Sequence, residues 1–160
     1  MKVTAKYDIS SKGHGLSGLG LDNKNHLLFV TCHEGGAAGE PPAMVILTTG
    51  GTILTSLPIG AGTDGGGFNP NTMEAFSSGG QAGTLSIIKE HSPTSFSVEQ
   101  TLPTAEGART MTIDTKTNRV YVITAKFEGP VPPPPPPGGP RVFHRRPLVP
   151  GSFQILEIGR

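Results

Sequence analysis

Apolar and polar residues alternate from the start of the chain. Val3, Ala5, Tyr7 and Ile9 fall on one face, and Lys2, Thr4, Lys6 and Asp8 on the other. That pattern predicts a strand with one wet side over residues 2–9. Farther on, three stretches follow one template. Phe29, Phe76 and Tyr121 each open an apolar run, and seven residues before each stands a turn-forming Asp22, Asn69 or Asp114. Those turn residues are 47 and 45 positions apart, a period expected of β-propeller blades rather than of helical repeats.

The first repeat, residues 14–60, reads as four strands: Leu16–Leu21, Leu27–Cys32, Met44–Thr48 and Ile53–Ile59. Thr49-Gly50-Gly51-Thr52 makes a tight hairpin turn in its last pair. The second, 61–103, supplies Gly66–Phe68, Glu74–Ser78, Thr84–Lys89 and Ser95–Leu102. The third, 104–160, supplies Met111–Ile113, Val120–Phe127 and Phe153–Ile158, interrupted by a Pro-rich insertion at 128–150. Its outermost strand is missing. The lone strand at 2–9 is of the type that ends the other repeats, so it is expected to complete the third blade and hide a sticky edge. The expectation is therefore one all-β domain over 1–160: a partial β-propeller of about three four-stranded antiparallel blades. Three blades are too few to surround an axis, so the chain is either part of a longer propeller or self-associates through open blade edges.

Composition narrows the function classes. Ten of the 16 prolines lie between Pro130 and Pro150, so the remainder has ordinary composition. A net charge of +1 without a basic stripe gives no strong nucleic-acid signal. No run approaches a transmembrane span, and MKVTAKYDIS lacks the apolar core of a signal peptide. Read literally, this is a soluble chain with no membrane partner. Cys32 stands alone and cannot form an internal disulfide.

Candidate chemistry collects at one end. Five residues before the template turns stand Ser17, Asp64 and Arg109, each expected to open the innermost strand of its blade at a channel mouth. The longer insertions, Glu34–Ala43 and Glu128–Pro150, belong to that end, as do Cys32 and His33. Binding concentrates on loops held by a rigid scaffold. Arg109 can clamp an anion while Asp64 orients a hydroxyl or cation; alternatively the two form a purely structural ion pair. Gly65-Gly66-Gly67 has the look of a phosphate cradle, but no helix follows, and close packing explains it better. His14, Cys32 and His33 lack the paired spacing of a zinc site, as do His26, His91 and His144, so no metal, cofactor or catalytic residue is assigned. Pro132–Pro137 reads either as a polyproline rod, an interaction loop with Arg145 and Arg146 supplying charge, or as a solvent-facing loop.

The second strands Phe29-Val30-Thr31-Cys32, Phe76-Ser77-Ser78-Gly79 and Tyr121-Val122-Ile123-Thr124 resemble those of the YVTN-repeat β-propellers, the YncE-like bacterial proteins. The phrases LPIGAGTDGGGFNP and GARTMTIDTKTNRVYVITA are similar to their last blades. The resemblance implies a seven-bladed ring, periplasmic or secreted, usually without assigned chemistry. It makes a non-enzymatic scaffold for an unknown small molecule or protein the leading expectation. A lactonase-like or quinoprotein-dehydrogenase-like enzyme is an alternative by fold analogy alone. A truncated fragment without independent activity is another.

Overall fold

In a computed structural model of the chain, residues 1–130 and 146–159 are described. The architecture is all-β, with eleven strands among those residues: β1 (Gly13–Asp22), β2 (Leu27–Gly35), β3 (Ala43–Thr48), β4 (Ile53–Pro58), β5 (Thr63–Asn69), β6 (Glu74–Gly79), β7 (Thr84–Ser92), β8 (Ser95–Pro103), β9 (Arg109–Asp114), β10 (Arg119–Thr124) and β11 (Gln154–Ile158). They form three antiparallel sheets without a closed barrel, ordered β1-β2-β3-β4, β5-β6-β7-β8 and β11-β10-β9.

The template residues earn their place in the turns. Asp22 Oδ1 accepts the Lys24 amide at 2.9 Å, Asn69 Oδ1 the Asn71 amide at 3.0 Å, and Asp114 Oδ1 the Lys116 amide at 2.9 Å. A short side-chain acceptor of this kind bends the chain by standing in for a backbone carbonyl. Each turn then leaves through one left-handed residue: His26, Met73 or Asn118, with φ of 56°, 54° and 58°. The three β1-β2, β5-β6 and β9-β10 hairpins therefore share one connection, which sets the same register in each sheet.

Packing between sheets is tightest along the first strands. A Cβ built on Gly18 of β1 would lie 2.3 Å from the Gly66 nitrogen of β5, and one on Gly20 would lie 2.9 Å from the Gly67 carbonyl carbon. On the far side of β5, Cβ atoms on Gly65 and Gly67 would meet Met111 and Ile113 of β9 at 2.7 and 2.8 Å. Glycine lets these backbones approach where any side chain would hold them apart. Larger groups fill the space away from that line. Phe29 stacks on Phe68 with centroids 4.9 Å apart and meets Phe96 edge-on at 6.1 Å. Leu27, Met44, Ile46, Ala75 and Ile88 complete that seam. The second seam is built from Phe76, Leu85, Ile87, Val120 and Val122, with Met111 and Leu156. Burying a side chain such as Phe29 completely contributes about 1.5–3 kcal/mol.

The strand expected over 2–9 does not form, and the third sheet is not completed by it. Residues 1–9 carry no strand pairing among the described residues. Instead Ile9 packs on the outer face of the first sheet with Val30, Cys32, Val45 and Leu47. The Tyr7 hydroxyl donates to the Thr49 carbonyl at 3.0 Å, and its ring lies against Gly51. Ile9 finds apolar burial near at hand, whereas β11 belongs to the opposite end of the stack. β10 also ends earlier than expected. Beyond Thr124 the chain leaves the sheet, and Phe127 bridges to Leu148 while its ring lies over Gly107.

Where the turn end of the first sheet meets the second, Glu90 is 2% and Asp22 1% exposed. The Asn25 amide donates to Glu90 Oε1 at 2.6 Å, but among the described residues Oε2 has no hydrogen-bond partner. Burial raises the Glu90 pKa above the usual carboxylate range; the Asn25 hydrogen bond opposes the shift, and the nearby Asp22 charge adds to it.

Two outcomes follow from these seams. Gly18→Ala must push backbone from backbone and should cost about 1–3 kcal/mol in urea unfolding. Gly50→Ala, whose Cβ meets only Thr48 at 3.6 Å, should change stability far less; equal effects would refute the close-approach account. Second, because the folded Glu90 holds its proton more tightly than the unfolded chain does, its contribution is fully present below about pH 4.5. It is lost as pH rises through the higher folded value. Melting temperatures should therefore show Glu90→Gln gaining on the parent protein from pH 5 to pH 8, and parallel curves would contradict this.

Candidate functional site

One end of the stack gathers the links from sheet to sheet (10–12, 59–62 and 104–108), the β2-β3 and β6-β7 connections, and the start of the β10-β11 connection. Backbone bonds tie them together. Ile59 N donates to Pro42 O at 3.0 Å, Gly80 N to Gly62 O at 2.9 Å, and Gly107 N to Gly80 O at 2.7 Å.

Three candidate residues lie near this end on β1, β5 and β9, and each of those strands is irregular there. Register slips between Leu16 and Leu19 of β1, between Thr63 and Gly65 of β5, and opposite Val122/Ile123 in β9. Such a bulge adds one residue to a strand and re-aims its side chains. Asp64 is the extra residue in β5. In β9 the irregularity falls at Thr110, whose φ is 55°, a left-handed conformation that a β-branched residue adopts only under strain.

The bulges bring two of the three candidates together. Arg109 Nη1 stands 3.5 Å from Asp64 Oδ2, with side chains 61% and 38% exposed. A long, wet ion pair of this kind is worth less than about 1 kcal/mol, so little binds either group to the other. Ser17 does not join them. Its hydroxyl lies 3.1 Å from Thr31 Oγ1, which also accepts the Gly18 amide at 2.7 Å. Ser17 is thus spent on holding its own bulge. The second sheet carries a related buried tie, Thr63 Oγ1 to Ser77 Oγ at 2.7 Å. Neither Thr31 nor Thr63–Ser77 stood out in the sequence, since isolated hydroxyls carry no spacing signal.

The loop candidates divide. Pro132, Pro137 and Arg145 lie outside the described residues. Arg146 is described and is engaged structurally: it pairs with Glu106, donates to the Gly129 carbonyl at 2.7 Å and stacks its guanidinium 5.0 Å over Phe127. Its side chain is only 12% exposed. That corrects the expectation of an interaction-loop charge: Arg146 clamps the base of the insertion to the 104–108 link.

Cys32 is fully buried on the outer face of the first sheet, and burial pushes its thiol pKa up. His14 Nε2 lies 3.3 Å from the Gly36 carbonyl, and the His33 ring packs beside Gly15. Among the described residues no three His, Cys, Asp or Glu side chains are grouped to hold a metal ion. The Gly65–Gly67 run packs closely against β1 on one side and β9 on the other.

A scan against protein-family models finds no match, and a search of curated proteins finds none either. Among solved structures, the chain matches a functionally unknown protein from Desulfotomaculum acetoxidans DSM 771 at 11% sequence identity and a TM-score of 0.35. The match covers 69% of this chain and 49% of that one, so this chain spans about half its length. A likeness of that size carries no weight for function.

Proposed function

We propose that this chain is a YVTN-type partial propeller serving as a non-enzymatic binding scaffold, with Asp64 and Arg109 as its ligand-facing pair. The observation that carries the reading is the exposed, loosely paired guanidinium and carboxylate supplied by neighbouring first strands at the loop-rich end. The repeated turns and the placement of Phe29 and Phe76 between sheets support the propeller part of the reading.

The pair favours a small ligand carrying an anionic group beside a hydroxyl. A carboxylate or phosphate would draw Arg109 into a two-pronged, charge-assisted contact. Asp64 would turn to accept from the hydroxyl. Because the resting ion pair is weak, exchanging it for such a ligand costs little.

Citrate and inorganic phosphate are suitable first probes, followed by chemical-shift changes of the Asp64 and Arg109 amides. The parent protein should respond to millimolar anion, and Arg109→Gln should lose the response. Asp64→Asn should bind phosphate several-fold more tightly because the competing carboxylate is gone, with a smaller gain for citrate, whose hydroxyl loses its charged acceptor. Unchanged amides in the parent protein, or an anion response indifferent to Arg109→Gln, would defeat the reading.

A further inference from the structure

Among the described residues, the two end faces of the stack are exposed in complementary ways. On the third sheet, Tyr121 holds the template position of Phe29 and Phe76. Those two insert into the seams between sheets, yet Tyr121 and its row face outward, with Ile123 50%, Phe153 72% and Ile155 70% exposed. On the first sheet, Leu16, Leu19 and Leu21 are 59%, 61% and 52% exposed. Leu16 and Leu19 line an open apolar groove of about 290 Å³ with Tyr7, Ile9, Leu28 and Val30. The face left bare at one end is therefore of the kind that covers the other end.

The N-terminal segment carries the same message. Residues 2–9 precede β1 by a short link, as β4 precedes β5 and β8 precedes β9. Leu54 of β4 lies 47 positions after Tyr7, the interval between the first two template turns. Leu54 packs against the core cluster shared by the first and second sheets; Tyr7 packs onto the first sheet at Thr49 and Gly51. Residues 2–9 thus lie where the outermost strand of a preceding sheet would lie. The third sheet has three strands, and the outer edge of β11 is unpaired among the described residues.

We infer that two copies of this chain associate head to tail, the third sheet of each packing on the outer face of the partner's first sheet, with residues 2–9 pairing in trans along β11. The contact reuses the seam already present twice inside each copy. Three sheets from each copy make six, within the roughly four to eight that close a ring of sheets. Both end faces are covered, and so is the open edge of β11. A contact between unlike faces closes only if the rotation fits; otherwise it grows into an open filament. The trans seam differs from the internal ones at its inner line. Thr110 and Thr112 stand where Gly18, Gly20, Gly65 and Gly67 permit close approach, so β9 and the partner's β1 sit farther apart. The inference goes beyond the ligand reading and does not draw on it, although Arg109 is the register partner of Ile123 in the third sheet.

Light scattering after size exclusion, from about 1 to 100 µM, together with hydrogen exchange tests this. The expected mass is twice 16.6 kDa, with the amides of residues 3–8 and 154–158 slowed about tenfold or more in the dimer. Ile123→Lys, at a half-exposed position, should give a folded monomer by circular dichroism and remove that protection. A monomer across the whole range, an open-ended series of larger species, or a dimer indifferent to Ile123→Lys would overturn the inference. A dimer in which residues 3–8 exchange freely would overturn the strand pairing.

Discussion

The closeness of three backbones governs this molecule. β1, β5 and β9 run against one another with glycine at the contacts, so the sheets nearly touch along their first strands. Outward from that line, aromatic and branched side chains hold the sheets apart, with Phe29 between Phe68 and Phe96 as the clearest case. Small residues on one side and bulky ones on the other make each seam a wedge. Close packing tolerates neither a void nor an added methyl group there, and so the relative orientation of the sheets is set by volume rather than by any directed bond.

Polar interactions sharpen what packing imposes. At the turn end, Asn25 ties the first sheet to Glu90 of the second, and Asn69 donates to Asn118 Oδ1 of the third at 3.0 Å. At the loop end, the Thr31 and Thr63–Ser77 hydroxyl ties brace the strand bulges. Those bulges turn Asp64 and Arg109 toward each other while leaving both in water. The sheets therefore supply rigidity beneath a pair that is itself weakly held. The buried Glu90 is the costly element of this arrangement, and its cost is felt at neutral pH.

Much of this was legible in the residue order because it is local and repeated. The Asp22, Asn69 and Asp114 turns each use a neighbouring amide, so spacing alone reveals them, and the three sheets follow. The same interval points to Asp64 and Arg109 together, because equivalent positions on adjacent strands are neighbours. Ser17 shares that interval, yet its hydroxyl finds Thr31 first, a tertiary contact with no sequence signature. Arg146 likewise reads as free charge until Phe127 and Glu106 are folded against it. The N-terminal segment alternates as a strand should, but alternation specifies a face to bury and not a strand to pair with. Ile9 buries its side chain on the first sheet, and Tyr7 docks its hydroxyl there.

The central claim is that the sheets meet through their first strands, and nuclear Overhauser contacts report on it directly. Cross-peaks should join the Gly18 Hα protons to the Gly66 amide and the Phe29 ring to the Phe68 ring, with intensities like those of contacts inside one sheet. Strong contacts within each sheet, with both of those cross-peaks absent, would mean that the sheets do not stack in this way.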